Sequence, residues 1–235
     1  MILKREKLLI FAICIIIVSI VGVATKVKTY AAVMPLSHKI IVIDAGHGGF
    51  DPGMVSGKTE EKHINLAIAQ KLQNFLELGG ATVIITRVDD SDLGSSKSGD
   101  MHTRRIIANT SHADIFVSIH QNSYSKSSVK GAQVFYFNSS DNSKKLAHFI
   151  QARIKEFVDS NNKFQAKENS NYFVLKQTSM PAVLVECGFL TNPGEKSKLL
   201  SEEYQEKVAW GIYLGILDYF HEIPEEPEPA TPVEE

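Results

Sequence analysis

Cysteine is nearly absent from this chain, with two in 235 residues. Cys14 falls in an apolar leader and Cys187 in a predicted core strand. No disulfide framework can therefore hold the fold, and a strand cysteine reads as a small core hydrophobe. Neither sign of charge is in excess. The formal net charge is −2, which removes the electrostatic argument for a nucleic-acid partner. Internal repeats are lacking. A second long apolar run is lacking too, so nothing returns the chain across a membrane once its N-terminus has engaged one. Hydrophobic residues make up 43% and charged residues 22%. These are ordinary globular values, and the stretch between the N-terminal run and the acidic tail suits one domain with its own core.

The single apolar run is informative. Lys4, Arg5 and Lys7 precede Leu8–Ala24, the arrangement of a secretory signal. The run sits between the lengths of a signal core and a membrane span. Small residues at Gly22–Ala24 and Thr29–Ala31 offer cleavage points. Residues 1–25 are thus expected to be a signal peptide or an anchor, and 26–37 a spacer. Either way the domain is exported across the cytoplasmic membrane, secreted or N-terminally anchored. From Glu222 the sequence alternates Pro and Glu to its end, a composition that cannot build a core.

Between these ends, strand and helix patterns alternate. His38–Asp44 carries the continuous apolar run Ile40–Ile43, as in a strand buried on both faces. Ile64, Ile68, Leu72, Phe75 and Leu76 recur at helical spacing over Lys62–Leu78, and Gly79-Gly80 stops them. Further strands are predicted at Ala81–Thr86, Ile115–Ile119 and around Val183–Val185. Ala132–Phe137 alternates like an edge strand. Helices are predicted at Arg104–His112, around Leu146–Phe157, after Thr191 and over Val208–Phe220. Asp89–Thr103 and Gln121–Lys130 read as loops. The pattern predicts an α/β domain over residues 38–221, with a mostly parallel sheet sandwiched between helices.

Ligand-type residues stand at the ends of these elements. His47 follows the first strand, His120 closes the Ile115 strand, and Glu186 ends the Val183 strand. Open α/β sheets gather functional groups at the carboxyl ends of their strands. Glu61 reaches the same rim from a helix start, across a glycine-rich loop. Two imidazoles and a carboxylate form a known catalytic zinc set, and imidazole suits Zn²⁺ better than Mg²⁺ or Ca²⁺. Glu186 is then the carboxylate left to shuttle protons. Placed directly after Ala-Val-Leu-Val, it would be costly to bury without a cation or donors. The competing readings are a zinc peptidase or deacetylase of wall fragments on the same scaffold, and a catalytically silent module that binds the wall or a partner.

Four ordered motifs carry a resemblance. Asp44-Ala-Gly-His-Gly-Gly49, Glu61-Lys-His-Ile-Asn-Leu66, Ser118-Ile-His-Gln-Asn122 and Pro181-Ala-Val-Leu-Val-Glu-Cys-Gly-Phe-Leu-Thr-Asn-Pro193 resemble the zinc-dependent N-acetylmuramoyl-L-alanine amidases of the amidase-3 family. The likeness runs from about His38 to Phe220. It implies a sheet of about six strands between helices. It also implies one Zn²⁺ on His47, Glu61 and His120, with Glu186 as the catalytic acid/base. Arg104 matches a family arginine that contacts substrate or holds the loop. The implied reaction cleaves the amide between the lactyl group of N-acetylmuramic acid and L-alanine in peptidoglycan. The compact domain is most similar to the germination-specific branch, which acts on spore cortex ahead of a muramic acid deacetylase that forms muramic-δ-lactam. The Ser/Lys-rich loop 121–130 adds an expectation of a spore-envelope accessory protein that assists metal binding. His63, His102, His112 and His148 match no ligand motif, and no inserted segment that would plug the site is expected.

Overall fold

The computed structural model describes residues 34–138 and 140–222. The expected leader, spacer residues 26–33 and the Pro/Glu tail after Glu222 lie outside these residues. No helix among the described residues is long and apolar enough to cross a membrane.

The chain order is β1 (Ile40–Ala45), β2 (Val55–Ser56), β3 (Thr59–Glu60), α1 (Glu61–Leu78), β4 (Thr82–Ile85), α2 (Lys97–Thr110) and β5 (Ile115–Asn122). It continues with β6 (Gln133–Tyr136), α3 (Asp141–Phe157), β7 (Lys167–Glu168), α4 (Phe173–Gln177), β8 (Ala182–Phe189), α5 (Pro193–Leu199) and α6 (Glu202–Glu222). Six strands form one sheet in the order β4-β1-β5-β8-β6-β7. β1 pairs in parallel with β4 and β5, and β5 in parallel with β8. β6 turns the other way against β8. Helices cover both faces, which is why the central strands read as unbroken apolar runs. Along β1 the pleat sends Ile41, Ile43 and Ala45 into the larger core cluster and Val42 into the smaller one on the opposite face.

Three differences from the sequence expectation have physical causes. α2 begins at Lys97, well before Arg104. Its Ser/Gly/Asp-rich start looks like a loop, but Ser96 caps it by accepting from the Gly99 backbone N–H over 3.1 Å. β6 is not the sheet edge, because the two-residue β7 pairs outside it; so short a strand leaves no periodicity to detect. The core also begins before His38. Leu36 is fully buried, and its N–H donates to the Gly79 carbonyl.

On the larger face, α3 and α6 cross closely at glycine. A Cβ built on Gly215 would lie 2.4 Å from Ile150 Cα and 2.7 Å from its backbone nitrogen. Backbone cannot swing aside as a side chain can. Gly215→Ala gains about 1 kcal/mol of helix propensity but overpacks this crossing. The expected net result is a loss of about 2 kcal/mol, seen as a melting temperature lower by about 4–8 °C. An unchanged or raised melting temperature would show that the two helices can separate without cost.

Candidate active site

The strand ends bring the candidate residues together on one rim. In the parallel register, Asp44 of β1 lies beside Ser118 of β5, and His120 of β5 beside Glu186 of β8. His47 follows β1 in a glycine turn. Its backbone is left-handed at φ 61°, unusual for a non-glycine residue. The turn is pinned by paired Gly48–Asp51 backbone bonds of 3.0 Å each, and the Asp51 carboxylate lies 2.9 Å from His47 Nδ1. That contact fixes the ring and turns Nε2 toward Glu61, whose Oε2 is 3.4 Å away.

Glu61 opens α1, where the helix dipole favours its charge. Its carboxylate is buried and surrounded by donors. Oε2 accepts from Met54 N at 2.8 Å, and Oε1 accepts from Gln121 N at 2.9 Å and Asn65 Nδ2 at 3.1 Å. His120 Nδ1 lies 3.0 Å from the same Oε1. Burial opposes the charge, but the two imidazoles outweigh it and hold the Glu61 carboxyl well below the usual carboxylate range. The reciprocal effect acts on His47. Burial lowers its pKa, yet Glu61 and Asp51 lift it to about 9.

One donor atom from each of His47, Glu61 and His120 falls within 4.8 Å of the others, and the two rings meet edge to face at 4.9 Å. Two glycines make this crowding possible. A Cβ on Gly46 would sit 2.3 Å from the His120 ring, and one on Gly53 would sit 2.6 Å from Glu61 Oε2 and from the His47 ring. The donor set and its spacing fit a single divalent cation of the zinc type. Such an ion would take the place of the protons that the imidazoles share with the carboxylate between them.

Glu186 is buried at 6% exposure. Tyr172 Oη donates to its Oε1 over 3.1 Å, while Oε2 is buried without a hydrogen-bond partner. Burial, reinforced by the Glu61 charge against the opposing His120 field, pushes the carboxyl up to about 7. A cavity of about 150 Å³ opens beside the cluster. Its walls include His47, His120, Tyr172, Met101 and Phe173.

Arg104 also borders this cavity, but its nitrogens face inward. Nε binds Asp100, Nη1 binds Asp44 and the Ala45 carbonyl, and Nη2 binds the His47 carbonyl at 2.7 Å. Burial works against its charge, but Asp44 and Asp100 hold the guanidinium firmly protonated. These bonds tie the His47 turn to α2. Of the two roles that the resemblance offers this residue, they favour holding the loop over contacting substrate. Sequence reading missed a second such arginine. Arg87 binds the carbonyls of Ala45, Gly46 and Lys62. Asp51, Asn65 and Tyr172 were missed as well. One of them had a signal, since Asn65 lies four residues after Glu61, one turn along α1; Asp51 sits in a glycine turn, where that spacing carries none. Tyr172 had none.

The remaining candidates stay apart from the site. Cys187 is fully buried, and burial together with the Glu186 charge pushes its thiol pKa up, so it is no nucleophile. His102 stacks edge to face on Phe173 at 5.2 Å, and His63 is exposed beside Glu60.

An α/β sandwich with a His–Glu–His cluster and a buried acid on adjoining strand ends is the layout of a hydrolase suited to a divalent cation. The comparisons with known proteins agree with that class. Residues 41–218 match the model of the Amidase_3 family, N-acetylmuramoyl-L-alanine amidase, and the chain belongs to that family. The germination-specific N-acetylmuramoyl-L-alanine amidase of Bacillus subtilis is 37% identical over 203 residues, covering 83% of this chain and 85% of its own length. The CwlD amidase of Clostridioides difficile, solved in complex with the GerS lipoprotein, is 42% identical with a TM-score of 0.76. That match covers 78% of this chain and 98% of the other. The amidase LytC of Bacillus subtilis is 32% identical over 201 residues, which is 85% of this chain but 39% of LytC.

Proposed function

We propose that the chain is a zinc-dependent amidase of spore cortex peptidoglycan. It hydrolyses the amide between the lactyl group of N-acetylmuramic acid and L-alanine. The supporting observation is the convergence of His47, Glu61 and His120 within 4.8 Å, one strand from the buried Glu186. Those three side chains hold one zinc ion, which when bound supplies Lewis acidity at the scissile carbonyl. Asp51 and Arg104 position His47; Asn65 and the Gln121 N–H position Glu61. Glu186 does the proton work. Its raised pKa lets it take a proton from the attacking water and return it to the alanine nitrogen as the C–N bond breaks. The products are a free lactyl carboxylate and a peptide with an L-alanine amine.

The likeness to the germination-specific amidase supports a role in germination; the cortex as substrate and a position ahead of a muramic acid deacetylase complete this reading. It also supports export of the domain. The lipoprotein bound to CwlD supports an accessory envelope protein, to which this reading gives the task of assisting metal binding. Mass spectrometry of purified cortex and vegetative wall, digested with the protein and zinc, tests the assignment. New L-alanine N-termini in cortex are expected. Free glucosamine amines would identify a deacetylase instead. Equal cleavage of both walls would favour a general autolysin, the reading that the likeness to LytC supports.

Metal affinity is expected to depend on pH. In the cation-free cluster, His47 carries a proton up to about pH 9, and binding must expel it. The sign follows: affinity rises with pH, by up to about tenfold per unit between about pH 6 and 8. Isothermal titration with Zn²⁺ in buffers of different ionisation heat reads the released proton directly. A flat profile would show that His47 holds no proton in the cation-free cluster over this range.

A further inference from the structure

Glu186 has one hydrogen-bond partner among the described residues, and it comes from outside the four motifs. Tyr172 precedes α4 and is half-buried. Its ring packs edge to face on Phe135 of β6 at 5.5 Å. The neighbouring Phe173 is held in turn by His102 of α2. This places the phenol with one end against the buried carboxylate and one side on the cavity wall that it shares with His47 and His120. The two oxygens of Glu186 are thereby made different. Oε1 accepts from Tyr172, and Oε2 is buried with no partner.

We infer that Tyr172 is a positioning residue for Glu186. Its hydroxyl holds Oε1 and so fixes the plane of the carboxylate that exchanges protons with water and the leaving nitrogen. The terminal torsion of a glutamate is broad and two-fold, so without a donor the two oxygens interchange and the plane drifts. A hydrogen bond from a phenol packed on Phe135 removes that freedom, and catalysis by a carboxylate is sensitive to such placement. The inference rests on the assignment of Glu186 as the acid/base.

Tyr172→Phe keeps the ring and its packing and removes only the hydroxyl. With zinc-loaded full chain and a muramyl-peptide substrate, kcat is expected to fall about 10–100-fold while KM stays within about twofold. Zinc affinity by calorimetry should be unchanged, and the melting temperature should fall by only a few degrees for the one lost hydrogen bond. A double-mutant cycle isolates the positioning role. In a Glu186→Ala background the hydroxyl has nothing to orient, so Tyr172→Phe should cost nothing further in residual turnover. An equal cost in both backgrounds, or a raised KM with kcat intact, overturns the inference. If Glu186→Ala alone retains full turnover, the acid/base assignment fails and this inference with it. If Glu186→Ala is inactive and Tyr172→Phe fully active, the inference alone fails.

Discussion

Glu186→Gln is expected to lower kcat by at least about 10³-fold while zinc binding and the fold survive. The change is nearly isosteric. The introduced amide keeps a carbonyl oxygen that can accept from Tyr172, and the substitution removes none of the three side chains assigned to the metal. What it removes is the ability to gain and lose a proton. That ability is favoured here, because burial pushes the carboxyl up, to about 7 in the cation-free cluster, while the charge of a bound ion would act to lower it. An ordinary carboxylate near 4 accepts the water's proton reluctantly, and a fully neutral acid cannot accept it at all. Stability provides an independent sign. Glu186 is a buried acid with one oxygen unpartnered, so neutralising it should leave the melting temperature unchanged or higher, as expected of groups kept for activity at the expense of stability. Loss of activity with a raised melting temperature would identify a catalytic group. Loss of activity with a large drop would identify a structural one. Turnover within tenfold of the unmodified protein would remove Glu186 from the mechanism.

The legible parts of this fold are those in which one physical signal is strong and local. Ile40–Ile43 and Ala182–Val185 read as strands because a strand covered on both faces has nowhere to put a polar side chain. α1 reads as a helix because one stripe faces the sheet, from Ile64 through Leu72 to Leu76. The histidine and glutamate candidates follow from these, since strand ends in a parallel sheet share a rim. The less legible parts depend on partners distant in sequence. β7 exists only through its pairing with β6, and α4 is a short helix held by His102 on Phe173 and by Phe135 on the preceding Tyr172. Tyr172 carries no periodicity, motif or spacing that separates it from any other tyrosine; only its distance to Glu186 does. Arg104 was legible as a residue of interest but ambiguous in role. Its carboxylate partners lie four residues away at Asp100 and sixty away at Asp44, and only the first is visible from the sequence.

Gly46→Ala is expected to abolish metal binding although it alters no ligand, and this separates the shape of the site from its chemistry. The added methyl would meet the His120 ring at 2.3 Å from Cε1 and Nε2 and 2.8 Å from Cδ2. Ordinary contact needs about 3.4 Å or more, so the ring or the backbone must move by about 1 Å. The backbone is held: the Gly46 N–H donates to the Ile119 carbonyl, and its own carbonyl accepts from Asn65 and Arg87. The ring therefore moves, and metal–ligand distances tolerate only about ±0.2 Å. Gly46, unlike Gly53 at φ +66°, has no left-handed backbone to lose, so the effect does not pass through main-chain strain. The expected outcome is a zinc affinity at least about 100-fold weaker and no turnover at micromolar zinc, in a protein whose circular dichroism is unchanged. Gly53→Ala should show the same loss together with a lower melting temperature, because it adds backbone strain to the clash. Zinc affinity unchanged in Gly46→Ala would mean that the His120 ring does not bind the metal from the position it holds beside this glycine. The three-residue assignment would then fail at that ligand while His47 and Glu61 remained in place.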